Sequence, residues 1–179
     1  MLRFFLLAGM AAAVLGAQDA SGRWVGTVND AGVPQRVYLG LSQRGADLIG
    51  TVTYGREVFA IEHAVMKGNK ATFEIRDVSD HEKTFELTLA DHRLSGQVNV
   101  GGRALPLDLA PLKSDENAVV LSLEADANGR ITNIRVHRSL GLNRDETAIE
   151  EAVRNIKPAN FKSAYRNGRR VPLEVILPE

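Results

Sequence analysis

From Ser21 to Leu112 apolar and polar residues alternate with a period of two, and turn-forming residues interrupt them about every 8 to 12 positions. A strand points successive side chains to opposite faces, so each short run has one face to bury and one to leave outside. Candidate strands are Trp24–Val28, Arg36–Ser42, Leu48–Tyr54, Val58–His63, Ala71–Arg76, Thr84–Leu89, Arg93–Val100 and Ala104–Leu109. Between them stand "NDAG", "RG", "YGR", "KGNK", "DVSDHEK", "ADH" and "GGR", all of them turn chemistry. About eight strands joined this way predict an antiparallel all-β meander, closed as a small barrel or folded as a two-layer sandwich. "LIGTV" before "YGR" echoes "LSGQV" before "GGR", either as a repeated hairpin or as the common text of strand, turn and strand.

"APLKSDEN", Ala110 to Asn117, breaks the alternation with Pro111 and a polar run, and places a domain boundary near residue 114. Beyond it the texture changes. Val119–Ala125 and Ile131–Arg138 read as strands around the turn "DANGR". Asn143 and Glu146 form a capping pair, and Ile149, Ala152, Val153 and Ile156 make one apolar helical stripe that Pro158 ends. A short extended piece from Phe161, an "NG" turn at Asn167 and Gly168, and a last strand Val171–Leu177 complete the chain. The second part is therefore α+β, an antiparallel sheet with one packed helix.

The opening "MLRFFLLAGMAAAVLGAQDA" has Arg3, an apolar run Phe4–Ala17 and the small pair Gly16 and Ala17. That is the layout of a secretory signal peptide over residues 1–17, and a run of about 14 residues is short for a membrane span, which needs about 20. The expected location is periplasmic or secreted, with no transmembrane anchor after cleavage. A secreted chain without cysteine has no disulfide to hold it, so core burial must supply its stability. Zero formal net charge argues against nucleic acid as a partner.

Catalytic spacing is not found. His63, His81, His92 and His137 are dispersed, with no pair at helical spacing and no cysteine beside them, so no metal site is expected. Ser95 and Ser139 lack a nucleophile elbow. Asp145, Glu146, Glu150 and Glu151 fall in the first turns of the helix, where acidic side chains complement the helix dipole. The chain reads as a non-enzyme without a cofactor. One charge feature stands out: Arg154, Lys157, Lys162, Arg166, Arg169 and Arg170 lie between Ala152 and Leu173 with no acid among them. This is a solvated face or a docking surface for an anionic partner.

Val119–Leu123, Gly129, Ile131–Val136, Ser139 with Gly141, Asp145, Ala152 with Val153, Phe161–Ala164, Asn167 with Gly168, and Val171 follow one another in an order and spacing that resembles the C-terminal domain family of TonB. Ile156 stands where that family has an aromatic, and Ser163 where it has proline. The resemblance implies a periplasmic domain that binds an envelope protein, by pairing of a transporter segment with the edge of the last strand. The basic run and this last-strand edge together give the expected partner surface, Arg166, Arg169, Arg170, Val171, Leu173, Glu174 and Val175, and the partner is an envelope protein or cell-wall component, or a second copy of the chain. Pro172 removes one backbone donor there. Gly22-x-Trp24 resembles the opening signature of lipocalins, in which the Trp closes one barrel end. It supplies the alternative, a carrier holding a small apolar ligand in the barrel beside Trp24. The expected organisation is a β-domain over 18–113 and a TonB C-terminal-like domain over 114–179.

Overall fold

The computed structural model describes residues 19–76, 81–128, 130–155, 165–166, 169–170 and 172–178. The leader expected over residues 1–17 lies outside them. Nine strand segments make the first sheet: β1 (Gly22–Asp30), β2 (Val33–Arg44), β3 (Asp47–Tyr54), β4 (Glu57–Ala60), β5 (Glu62–Lys67), β6 (Lys70–Arg76), β7 (Glu82–Ala90), β8 (Arg93–Val100) and β9 (Arg103–Pro111). Strands consecutive in sequence pair with each other, except that β4 and β5 both pair with β3, and β1 pairs with β9 as well as with β2. The sheet is thus a closed antiparallel barrel, which decides between barrel and sandwich and leaves no sheet edge at the seam. The eight strands of the barrel count β4 and β5 as one bent strand.

The bend has a local cause. Sequence alternation predicts one strand over Val58–His63, but the ladder breaks at Ile61 and a bulge follows between Glu62 and Val65. His63 sits in that bulge with φ of 47°, a conformation uncommon for a residue with a side chain.

Closing so few strands brings backbones close together. A Cβ on Gly50 would lie under 3.0 Å from the carbonyl oxygen of Gly40, and one on Gly96 equally close to that of Glu86. The echo between "LIGTV" and "LSGQV" therefore has a physical content: each glycine marks a place where a neighbouring strand presses in.

The inward residues fill the barrel. Trp24, Leu39, Leu48, Val52, Phe73, Phe85, Leu94 and Leu109 belong to one buried cluster, and the Phe73 and Phe85 rings stack with centroids 4.8 Å apart. At one end Tyr54 and Phe59 lie under the Lys83 ammonium, at 5.5 and 5.8 Å, beside an Asp30–Arg103 ion pair of 2.7 Å.

The second sheet has the order β11-β10-β14, with β10 (Ala118–Ala125) between β11 (Ile131–Arg138) and β14 (Leu173–Pro178). Both pairings are antiparallel, with Ser122 opposite Arg135 on one side and Leu121 opposite Val175 on the other. Helix α1 (Leu142–Asn155) packs on one face through Ala148 and Ile149. Two residue pairs, β12 (Tyr165–Arg166) and β13 (Arg169–Arg170), form a small hairpin before β14.

The helix start differs from expectation. Asn143 is not the cap: the helix begins one residue before it, and the Gly141 carbonyl accepts from the amides of Arg144 and Asp145 at 3.0 and 2.9 Å. Capping comes from inside the helix. The Asp145 carboxylate reaches back to accept from the Leu140 amide at 2.9 Å and from the Ser139 hydroxyl, and is itself buried. Gly141, with φ of 112°, supplies the turn that makes this reach possible.

Candidate binding surface

The second sheet does not stand apart from the barrel. Strand β10 is buried on both faces, with only Glu124 partly open. On one face Ala118, Val120 and Ile176 meet Val25 and Tyr38 on the outside of β1 and β2. On the other, Val119, Leu121, Leu123, Leu173, Val175 and Leu177 join Ala148 of the helix together with Ile49, Val58 and Ala60 of β3 and β4. The outer wall of the barrel thus completes the core of the second sheet.

The last strand is held on both of its flanks. Its ladder partner is β10, and its other flank lies over β2 and β3. There the Thr51 and Thr53 hydroxyls, both on fully buried side chains, donate to the carbonyls of Glu174 and Ile176. Gly40 passes so close that a Cβ would meet the Glu174 carbonyl oxygen inside 3.0 Å. The Glu174 side chain turns to Arg23 on β1, in a two-pronged pair of 2.7 and 2.9 Å. That hydrogen-bonded guanidinium holds the Glu174 carboxyl below its ordinary value, with His137 adding a smaller pull in the same direction, and the carboxylate in turn raises Arg23.

Of the residues expected to bind a partner, Leu173 and Val175 are therefore core residues and Glu174 is half-buried in an ion pair. An incoming strand at this flank would have to displace Thr51 and Thr53. Arg166 and Arg169 pair with each other across the β12–β13 hairpin, as Arg170 does with Tyr165, and Val171 lies outside the described residues. Sequence reasoning missed Arg23, Gly40, Thr51 and Thr53. The signal for a second buried face was present in "AVVLSLEA", an almost unbroken apolar strand where one-sided burial would alternate.

The other flank of the sheet is different. Among the described residues β11 pairs with β10 alone. Thr132, Arg135, Val136 and His137 are exposed, Val136 by 41%. The ladder slips twice, so that Thr132 and His137 are each an extra residue, and Asn133–Val136 forms the regular stretch between them.

Trp24 is only 5% exposed and closes the barrel mouth from within. Its Nε1 donates to the Ala20 carbonyl at 3.1 Å. The segment before β1 is sewn over the mouth: the Ala20 amide donates to Gln43 Oε1, and the Gln43 amide to the Ser21 hydroxyl, both at 2.8 Å. Outside this closure lies an open cleft of about 510 Å³ lined by Asp19, Arg23, Trp24, Asp91, His92 and Pro111, with Asp91 and His92 both at positive φ in the β7–β8 turn. The space for a ligand beside Trp24 is thus this outer cleft, since apolar side chains fill the interior.

His63 Nδ1 lies 2.8 Å from Glu74 Oε2 on the barrel wall, and that hydrogen bond raises the imidazole's pKa. Among the described residues no three His, Asp or Glu side chains gather as metal ligands would, and no helix is long and apolar enough to cross a membrane. No family model, no curated protein and no solved structure matches the chain.

Proposed function

We propose that this chain is a non-catalytic binding protein of the cell envelope, in which residues 114–179 carry the partner surface and the β-barrel is their rigid support. The observation that carries the reading is the one-sided mounting of the second sheet. The barrel covers β14 and part of β10, while β11 and the outer face of α1 are left toward solvent. A support that buries one flank of a sheet and leaves the other bare suits display rather than chemistry. The chain order of two strands, a helix, short extended pieces and a last strand supports the likeness to the TonB C-terminal domain family. The partner is an envelope protein or a cell-wall component.

The test is photocrosslinking of the tagged full-length chain in its native envelope. Photoreactive residues replace Val136 on β11, Glu146 and Glu150 on α1, and Lys67 on the barrel as a control, all of them exposed. Adducts of one mass, formed from the second unit and not from Lys67, are the expected result. Adducts absent from all second-unit positions would reject the reading.

A further inference from the structure

We infer that the partner adds a strand to the outer edge of β11, along Asn133–Val136, and that it does so with a short acidic extended segment. The inference rests on the binding reading above and names the place and chemistry of the contact. A three-stranded sheet offers two flanks for strand addition. The flank at β14 is closed, because Thr51 and Thr53 already hold the carbonyls of Glu174 and Ile176 and Gly40 is in backbone contact with the strand. Opening it would strip Leu173, Val175 and Ile176 of their packing. At β11 alternate amides and carbonyls point away from β10, and no described strand takes them up.

Charge and geometry select the occupant. The strand "ITNIRVHR" carries Arg135, His137 and Arg138 and no acid. The nearest acid is Glu124 on β10, opposite Asn133, so β11 stays basic on balance; Glu174 and Glu116 are engaged with Arg23 and Arg36. A second copy of β11 laid against the first would set like charges across the new ladder, which is unfavourable, whereas an acidic strand would pair with them. The bulges at Thr132 and His137 limit the regular ladder to the stretch between them, so the added segment is short. Val136 offers it an exposed apolar contact.

The test uses the full-length protein and a short synthetic peptide of alternating Glu and Thr, with the Lys and Thr peptide as control. Residue-resolved amide hydrogen exchange and a binding titration are the readouts. The Glu peptide is expected to slow exchange within Asn133–Val136, with affinity falling as salt rises, and the Lys peptide to do neither. Arg135→Glu is expected to weaken the Glu peptide by roughly tenfold with unchanged melting, because Arg135 is an exposed rim charge. Equal binding of both peptides, protection appearing at Leu173–Pro178 instead, or no protection in β11 would each overturn the assignment. The two proposals fail separately. Envelope adducts at Glu146 and Glu150 with β11 unprotected would sink the inference and spare the binding reading, and loss of every second-unit adduct would sink the reading itself.

Discussion

Arg23 near the start of the barrel and Glu174 on the last strand, 151 positions apart in sequence, form a two-pronged ion pair across the junction of the two sheets. Both side chains are about one-third exposed, 33% and 34%, so solvent screens the pair. Glu174→Gln is expected to cost about 0.5 to 1 kcal/mol at neutral pH, measured by denaturant unfolding.

The same pair sets an acid dependence. Glu174 titrates lower when folded than when unfolded, so its contribution is complete above the ordinary carboxylate range and is lost as pH falls through the depressed folded value. Wild type should therefore lose stability in acid more steeply than Glu174→Gln, and the two unfolding curves should converge once pH has fallen below the depressed folded value. Parallel loss in both proteins would remove Glu174 from the account.

Gly40→Ala tests the closeness of the junction. Its added methyl meets the Glu174 carbonyl, a backbone atom that cannot swing aside, and is expected to destabilise by about 1 to 3 kcal/mol. Thermal melting checks this against Lys67→Ala, an exposed change on the barrel that should leave melting nearly unmoved.

Thr53→Val keeps the shape of a buried side chain and removes the donor to the Ile176 carbonyl. The expected cost is about 1 to 3 kcal/mol for an acceptor left buried without a partner. Urea unfolding with an unchanged slope would confirm a loss of stability without a change in compactness.

At the helix start Asp145→Ala is expected to cost about 1 to 2 kcal/mol, because the Leu140 amide and Ser139 hydroxyl both lose their acceptor. Asn143→Ala, exposed inside the first turn, should change melting by no more than about 0.5 kcal/mol.

Much of this fold is legible in the sequence because the barrel buries one face of most strands. Arg93–Val100 and Ile131–Arg138 coincide with their predicted limits, and other strands differ by a few residues at their ends, where ladders fray. The bent β4–β5 strand is not legible, since a bulge depends on its partner strand and not on alternation. The junction is hidden for a related reason. In "LIGTVTY" the outward Ile49, Thr51 and Thr53 look like an ordinary mixed solvent face, and only the second sheet makes them interior. The same holds for "LEVIL", whose apolar run is a buried strand rather than an inviting edge. Capping by Asp145 was masked by Asn143 and Glu146, which present a familiar spacing two residues too late.

The central claim is that barrel and second sheet share one packed junction and unfold together. It is tested most directly by following one denaturation with two reporters: fluorescence of Trp24, the only Trp in the chain, for the barrel, and the helical circular dichroism of α1 for the second unit. Coincident transitions, both lowered by Gly40→Ala, are the predicted result. Two separate transitions, with Gly40→Ala leaving the Trp24 signal in place, would contradict it.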